Sequence, residues 1–199
     1  MSPKAKTNKG RAKMKVKARP KAKPAPKKAR AKPRAKSKAR PKAKARPAKQ
    51  QLAAKIARLC ADARALGTIN GIVMPIDELK LAVKLSEQPR RAAIPSLLTL
   101  SQDANMHARR VALGALRRME AWDDPRVFDV FLVGMSDPKG WVRYDAAWAL
   151  GDSRTTDPRA IAALEVLARG ARPDPDLSDA KARAASQAAE SLASLRQIS

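Results

Sequence analysis

The sequence repeats itself. Gln102-Asp103-Ala104-Asn105-Met106-His107-Ala108-Arg109 superposes, 34 residues on, with Ser136-Asp137-Pro138-Lys139-Gly140-Trp141-Val142-Arg143. Behind each copy the small and apolar positions also match: Ala112 and Ala115-Leu116 against Ala146 and Ala149-Leu150. A third copy opens 42 residues later at Ser178-Asp179, with Ala188, Ser191 and Leu192 at the matching positions. A second signature interleaves with the first, Asp124-Pro125-Arg126 and Asp157-Pro158-Arg159. There Asp can cap a helix N-terminus and Pro suits the first helical position. The order is helix, Asp turn, helix, Asp-Pro turn. A period of this length built from helix pairs specifies an α-solenoid, in which each pair buries its apolar face on its neighbours. No alternating run rich in β-branched residues points to a sheet, so the fold class expected is all-α.

Two more helices precede the repeats. Leu52, Ile56, Leu59, Cys60 and Ala63 recur at helical spacing, and Gly67 follows as a stop. Pro75 opens a second helix with Ile76, Leu79, Val83 and Leu85 as its apolar residues.

The stretch Asp137–Gly151 (DPKGWVRYDAAWALG), followed by Asp157-Pro158-Arg159-Ala160-Ile161 and Leu164, resembles a HEAT-like repeat of the phycobilin-lyase type. The likeness rests on an Asp, Val-Arg five and six residues later, and then Ala-Ala-x-Ala-Leu-Gly. Asp103 and Arg109 keep the same separation. The resemblance implies a ladder of Asp and Arg along stacked turns, carried here by Asp103/Arg109 and Asp137/Arg143. The third copy departs from it: Ala185 stands at the Arg position after Asp179, and Arg172-Pro173-Asp174-Pro175-Asp176 lengthens the turn before it. That copy, residues 178–199, reads as a degenerate C-terminal cap. The repeat domain is placed at residues 50–199, clearest over 94–168.

Charge divides the chain at the same boundary. Residues 1–50 hold 22 Lys/Arg and no acid, whereas residues 51–199 hold 21 Lys/Arg against 18 Asp/Glu, a net of +3. The first fifty carry 12 Ala and 7 Pro, with Met1, Met14 and Val16 as their only larger apolar side chains. Such a segment buries too little apolar surface to offset roughly 1–2 kcal/mol of backbone entropy per residue, so residues 1–49 are expected to be a disordered tail. The heptapeptide KARPKAK occurs twice, at Lys17–Lys23 and Lys38–Lys44. The composition resembles the Lys/Ala/Pro-rich tails of linker histones and histone-like bacterial proteins.

A polycation of this kind condenses on nucleic-acid phosphates with counterion release. The expected contacts are Lys13, Lys15, Lys17, Arg19, Lys21, Lys23, Lys27, Lys28, Arg30, Lys32, Arg34, Lys36, Lys38, Arg40, Lys42, Lys44 and Arg46. Base readout is not expected, because the tail has no aromatic side chain and no fixed framework. Acidic proteins, an anionic membrane surface and a targeting role are the other readings of such a tail.

Composition narrows the chemistry. One cysteine (Cys60) excludes an internal disulfide or a thiolate metal cluster, and one histidine (His107) excludes a His-based metal site. No stretch reaches the ~20 apolar residues of a membrane span, and the N-terminus lacks the apolar core of a secretory signal. A cytoplasmic, nucleoid-associated or nuclear location follows as the expectation, with no cofactor. Cys60 and His107 form no recognisable nucleophile motif, and Asp124 of the Asp123-Asp124 pair is taken up as a helix cap. Arg90, Arg91, Arg110, Arg117 and Arg118 are candidates for a basic strip, since Arg110, Arg117 and Arg118 share a helix face. Trp148 is expected to be partly core and Trp141 to be exposed at a turn; for Trp122, Trp141 and Trp148 together, core or turn packing is expected over a partner hot spot.

The leading expectation is a non-enzymatic adaptor. Its tail binds DNA or RNA phosphates without sequence specificity, and its solenoid receives a protein or the same nucleic acid. The enzyme alternative is a HEAT-like glycosylase of alkylated bases, with Trp141 and Asp145, four residues apart, as the positional candidates. A chromophore lyase or its scaffold and a pure protein–protein scaffold are the further alternatives.

Overall fold

The computed structural model describes residues 47–68, 71–170 and 178–197. The expected tail contacts Lys13–Arg46 and the lengthened turn Arg172–Asp176 lie outside these residues. Among the described residues there are eight α-helices and no strand: α1 (Ala48–Ala65), α2 (Pro75–Ser86), α3 (Arg90–Leu100), α4 (Met106–Arg118), α5 (Pro125–Gly134), α6 (Gly140–Asp152), α7 (Pro158–Ala168) and α8 (Ser178–Arg196). They form four consecutive pairs in two layers. The even-numbered helices stack in the order α2, α4, α6, α8, and the odd-numbered in the order α1, α3, α5, α7.

Residue size explains why the even layer packs more tightly. Ala108, Ala112 and Ala115 on α4, Ala146, Ala147 and Ala149 on α6, and Ala184 and Ala188 on α8 are wholly buried. Gly151 brings α6 against α8 so closely that a Cβ there would lie 2.5 Å from Ser191 Oγ. That hydroxyl donates to the Ala147 carbonyl at 2.9 Å, so the polar atom at the contact is satisfied. Larger side chains, Phe131, Val127, Leu164, Leu97 and Leu100, fill the space between the layers.

The helix starts follow local chemistry. Asp124 and Asp157 each accept a backbone N–H two residues on, from Arg126 and Arg159, and Pro125 and Pro158 occupy the first turns. Asn105 caps α4 through His107 N–H, while its amide nitrogen donates to the Arg64 and Leu66 carbonyls at the end of α1. One side chain therefore closes two helices that belong to different pairs.

The Asp–Arg ladder runs between successive pairs. Arg64 Nε donates to Asp103 Oδ2 at 2.7 Å. Arg109 grips both Asp137 oxygens, at 2.7 and 2.8 Å, and donates back to the carbonyls of Asp103 and Ala104. Asp137 also accepts the Lys139 backbone N–H, and Arg143, wholly buried, donates to the Asp137 carbonyl at 2.7 Å. Arg109 and Arg143 thus hold the backbone of their own turns, and Arg64 and Arg109 reach the carboxylate of the next. Arg64 has no counterpart in the repeat alignment, so the periodicity did not mark it.

The apolar face expected for α2 is corrected. Glu78, Ala82 and Leu85 are the buried residues of α2, whereas Ile76 and Leu79 are about half exposed and Val83 is only partly buried. The reason is that α2 packs on α4 through Ala82, which faces Gly114, and through Glu78, which pairs with α4 side chains.

Arg109 and Asp137 are each about 10% exposed, so removing one partner leaves a buried charge. Asp137→Ala should lower the unfolding free energy by about 3–5 kcal/mol. Asp129→Ala, which removes an exposed partner of Arg159, should change it by less than about 1 kcal/mol. Urea unfolding followed by circular dichroism measures both, and equal effects would remove the ladder's special place.

Candidate functional site

The even layer carries a groove between α2, α4 and α6. It is lined by Pro75, Leu79 and Ala82 from α2, Gly114 and Arg118 from α4, and Trp148 from α6, and holds about 290 Å³. Gly114 contributes no side chain, which leaves the floor open between Arg110 and Arg117 on the same helix face. Leu79 and Trp148 remain 42% and 39% exposed, large values for apolar side chains in a concavity. Ile72, Met74 and Ile76 extend the exposed apolar surface along the N-terminal side of α2.

A buried polar cluster underlies this groove. Glu78 Oε2 pairs with Arg110 Nη1 at 2.5 Å, and Glu78 Oε1 accepts from His107 Nδ1 at 2.7 Å. Arg110 Nε donates to Asp145 Oδ2 at 2.7 Å, so one guanidinium serves two carboxylates. Burial pushes the Asp145 carboxyl up to about 6, against the pull of Arg110. Burial would lower the Arg110 pKa, but Asp145 and Glu78 together raise it.

An aromatic row runs along α6. Trp141 and Tyr144 meet edge-on at 5.9 Å, as do Tyr144 and Trp148 at 6.0 Å. Guanidinium groups cover these rings: Arg117 lies 3.6 Å from the Trp148 centroid, and Arg110 and Arg183 lie 5.5 and 5.7 Å from that of Trp141. Arg117 is itself fixed by Asp152 at 2.7 Å.

The structure separates the residues expected to form a basic strip. Arg110 and Arg117 are neutralised by carboxylates from neighbouring helices. Arg90 donates to the Met119 and Glu120 carbonyls at the end of α4, with Asp123 at 3.5 Å. Arg91 and Arg118 are exposed and have no carboxylate partner among the described residues. A helical wheel places Arg110, Arg117 and Arg118 together but cannot see that Glu78 on α2 and Asp145 and Asp152 on α6 arrive beside two of them.

The other candidates find places in the scaffold. Trp148 is more exposed than Trp141, the reverse of the expectation, because Trp141 lies in the first turn of α6 under Arg110 and Arg183. Trp122 packs on Phe131 at 5.7 Å. Cys60 is buried, and burial pushes its thiol up, away from the thiolate a nucleophile needs. Among the described residues no three His, Cys, Asp or Glu side chains converge as metal ligands, and no helix is long and apolar enough to cross a membrane.

Asp145 yields a pH prediction. Its raised pKa favours the protonated form in the fold, so its stabilisation is full below about pH 4 and is lost as pH rises through about 6. The change amounts to about 3 kcal/mol. Asp103, Asp124 and Asp157 are held below the usual carboxylate range, chiefly by hydrogen bonds from the Asn105 backbone N–H, Arg126 and Arg159 respectively, and titrate below this window. Asp145→Asn should therefore flatten the fall in stability between pH 4.5 and 7, measured by urea unfolding. An unchanged slope would remove Asp145 as its source.

The comparison with known families fits this geometry. A family model described as HEAT repeats matches residues 94–193. The match begins in α3 and takes in the third, divergent copy. No curated protein and no solved structure matches the chain. With half of its length covered by that model and its helices paired in two layers, the chain belongs to the HEAT repeat family.

Proposed function

We propose that the chain is a non-enzymatic adaptor that residues 1–49 attach to DNA or RNA and whose HEAT stack presents a binding surface. The segregation of charge carries this reading: 22 Lys/Arg without an acid in residues 1–50, against near balance afterwards. The internal pairing of Arg64, Arg109, Arg110 and Arg117 supports it, since these cations are engaged within the stack. Attraction to polyanions is then chiefly a property of the tail, whose composition is linker-histone-like. The phosphates are engaged without base readout. The repeats, of the phycobilin-lyase type in sequence, supply the exposed groove and apolar edge on which a partner is held. A nucleoid-associated or nuclear location goes with such a role.

The reading makes a quantitative claim. With about six phosphates neutralised, affinity of the full chain for duplex DNA should fall about 10³-fold between 50 and 200 mM salt. Among the described residues the first side chains that pack in the core are Leu52 and Ile56, and a chain lacking residues 1–46 retains both. That shortened chain should bind far more weakly at 50 mM salt and show a shallow salt slope in fluorescence anisotropy. Equal affinity of the two chains would remove the tail's role. Release of methylated base from alkylated DNA, dependent on Asp145, would replace the adaptor with a glycosylase.

A further inference from the structure

The polar cluster beneath the groove between α2, α4 and α6 carries more carboxylate than its one arginine can neutralise. Glu78 and Asp145 share Arg110, and His107, on the other oxygen of Glu78, adds a charge only when protonated. With both carboxylates ionised and His107 neutral, one negative charge is in excess among four side chains that are each at most 20% exposed. A buried excess charge is costly, and taking up one proton removes it. Because the groups interact, that proton belongs to the cluster as a whole.

The remaining charges of the groove weigh less. Arg117 also acts on Asp145 from α4, but it is itself paired with Asp152 at 2.7 Å. Arg118 lines the same groove and is exposed to solvent, which screens it. From α8, Arg183 reaches the Trp141 ring.

The helix that forms one wall of this groove depends on the cluster for its seat. Besides Glu78, α2 fully buries Ala82 and Leu85 alone, while Ile76 and Leu79 face water. Its apolar hold on the stack is therefore small, and Glu78, bonded to both His107 and Arg110 of α4, is its polar anchor. When Asp145 ionises it competes with Glu78 for the same guanidinium and repels it across that guanidinium.

We infer that the groove is proton-linked: the cluster seats α2 on α4 while it holds a proton, and loss of that proton lets α2 lift and the groove open. The direction follows from linkage. Burial pushes the Asp145 carboxyl up to about 6; Arg110 opposes this and Glu78 adds to it. A hydrated aspartate sits at about 4. Lifting α2 gives Asp145 water, so the open state holds the proton less tightly and rising pH favours it. A partner seated against the closed wall then binds with proton uptake, and one that enters the open groove binds with proton release. The inference is independent of what residues 1–49 bind.

Hydrogen exchange of the full chain tests it. Mass spectrometry on peptides covering residues 75–86, corrected for the intrinsic pH dependence of exchange, reads the opening of α2. Exchange in α2 should be about tenfold faster at pH 8 than at pH 5. It should also be faster than in α4 and α6 at both pH values. Low concentrations of urea should barely alter it, because a local opening exposes little surface. Asp145→Asn should bring the two pH values to within about twofold of each other.

In the unsubstituted chain, α2 exchange that is no faster at pH 8 than at pH 5 would overturn the inference. So would α2 exchange that matches that of α4 in rate and urea dependence, since α2 would then leave only with the whole fold. A pH ratio that survives Asp145→Asn would overturn it as well.

Discussion

The two-pronged bond between Arg109 and Asp137 joins one repeat to the next, and the rest of the stack is arranged around it. The guanidinium fork matches the carboxylate in one orientation only, so it fixes the relative rotation of two helix pairs as well as their distance. The same carboxylate takes the Lys139 N–H, and the same guanidinium takes two carbonyls of its own turn. A buried pair is stabilising only when its remaining donors and acceptors are filled, and here backbone groups fill them. Those backbone groups belong to the turn between α3 and α4 and the turn before α6. Both would otherwise have to leave polar atoms uncovered near the core.

This arrangement also decides what the surface looks like. Arginines that would make the even layer basic are drawn into pairs: Arg109 with Asp137, Arg110 with Glu78 and Asp145, and Arg117 with Asp152. The exposed cations that remain on that layer, such as Arg118, stand out because their neighbours are spent. A near-neutral domain with a few placed cations is a different object from a basic one. The first can discriminate between ligands, whereas the second only attracts polyanions.

Much of this was legible in the sequence. The 34-residue offset, the Asp-Pro starts and the Asp–Arg separation were enough for a helical solenoid, because each is a local rule repeated. What escaped depends on contacts between repeats. Arg64 joins the ladder from outside the repeated segment. Glu78 is buried on a helix whose Ile76 and Leu79 are exposed, which inverts the rule that apolar periodicity marks the core. That inversion is affordable only because Arg110 and His107 reach it from α4, and no reading of α2 alone could supply them. The exchange of roles between Trp141 and Trp148 has the same origin, since Arg183 reaches the first ring from α8 and Arg117 the second from α4.

On the proposed reading, the two halves of the chain differ in what they can contribute to binding. Counterion release grows with the number of cations and is indifferent to their geometry, so a segment with 22 of them and no acid is suited to affinity and ill suited to choice. Stacking has the opposite character: it needs one ring held still, and charge adds little to it. Trp148 is held by an arginine whose charge Asp152 has already cancelled. Were Arg117 free, it would pull any phosphate toward the ring indiscriminately. Bound to Asp152, it serves as a flat support for the ring.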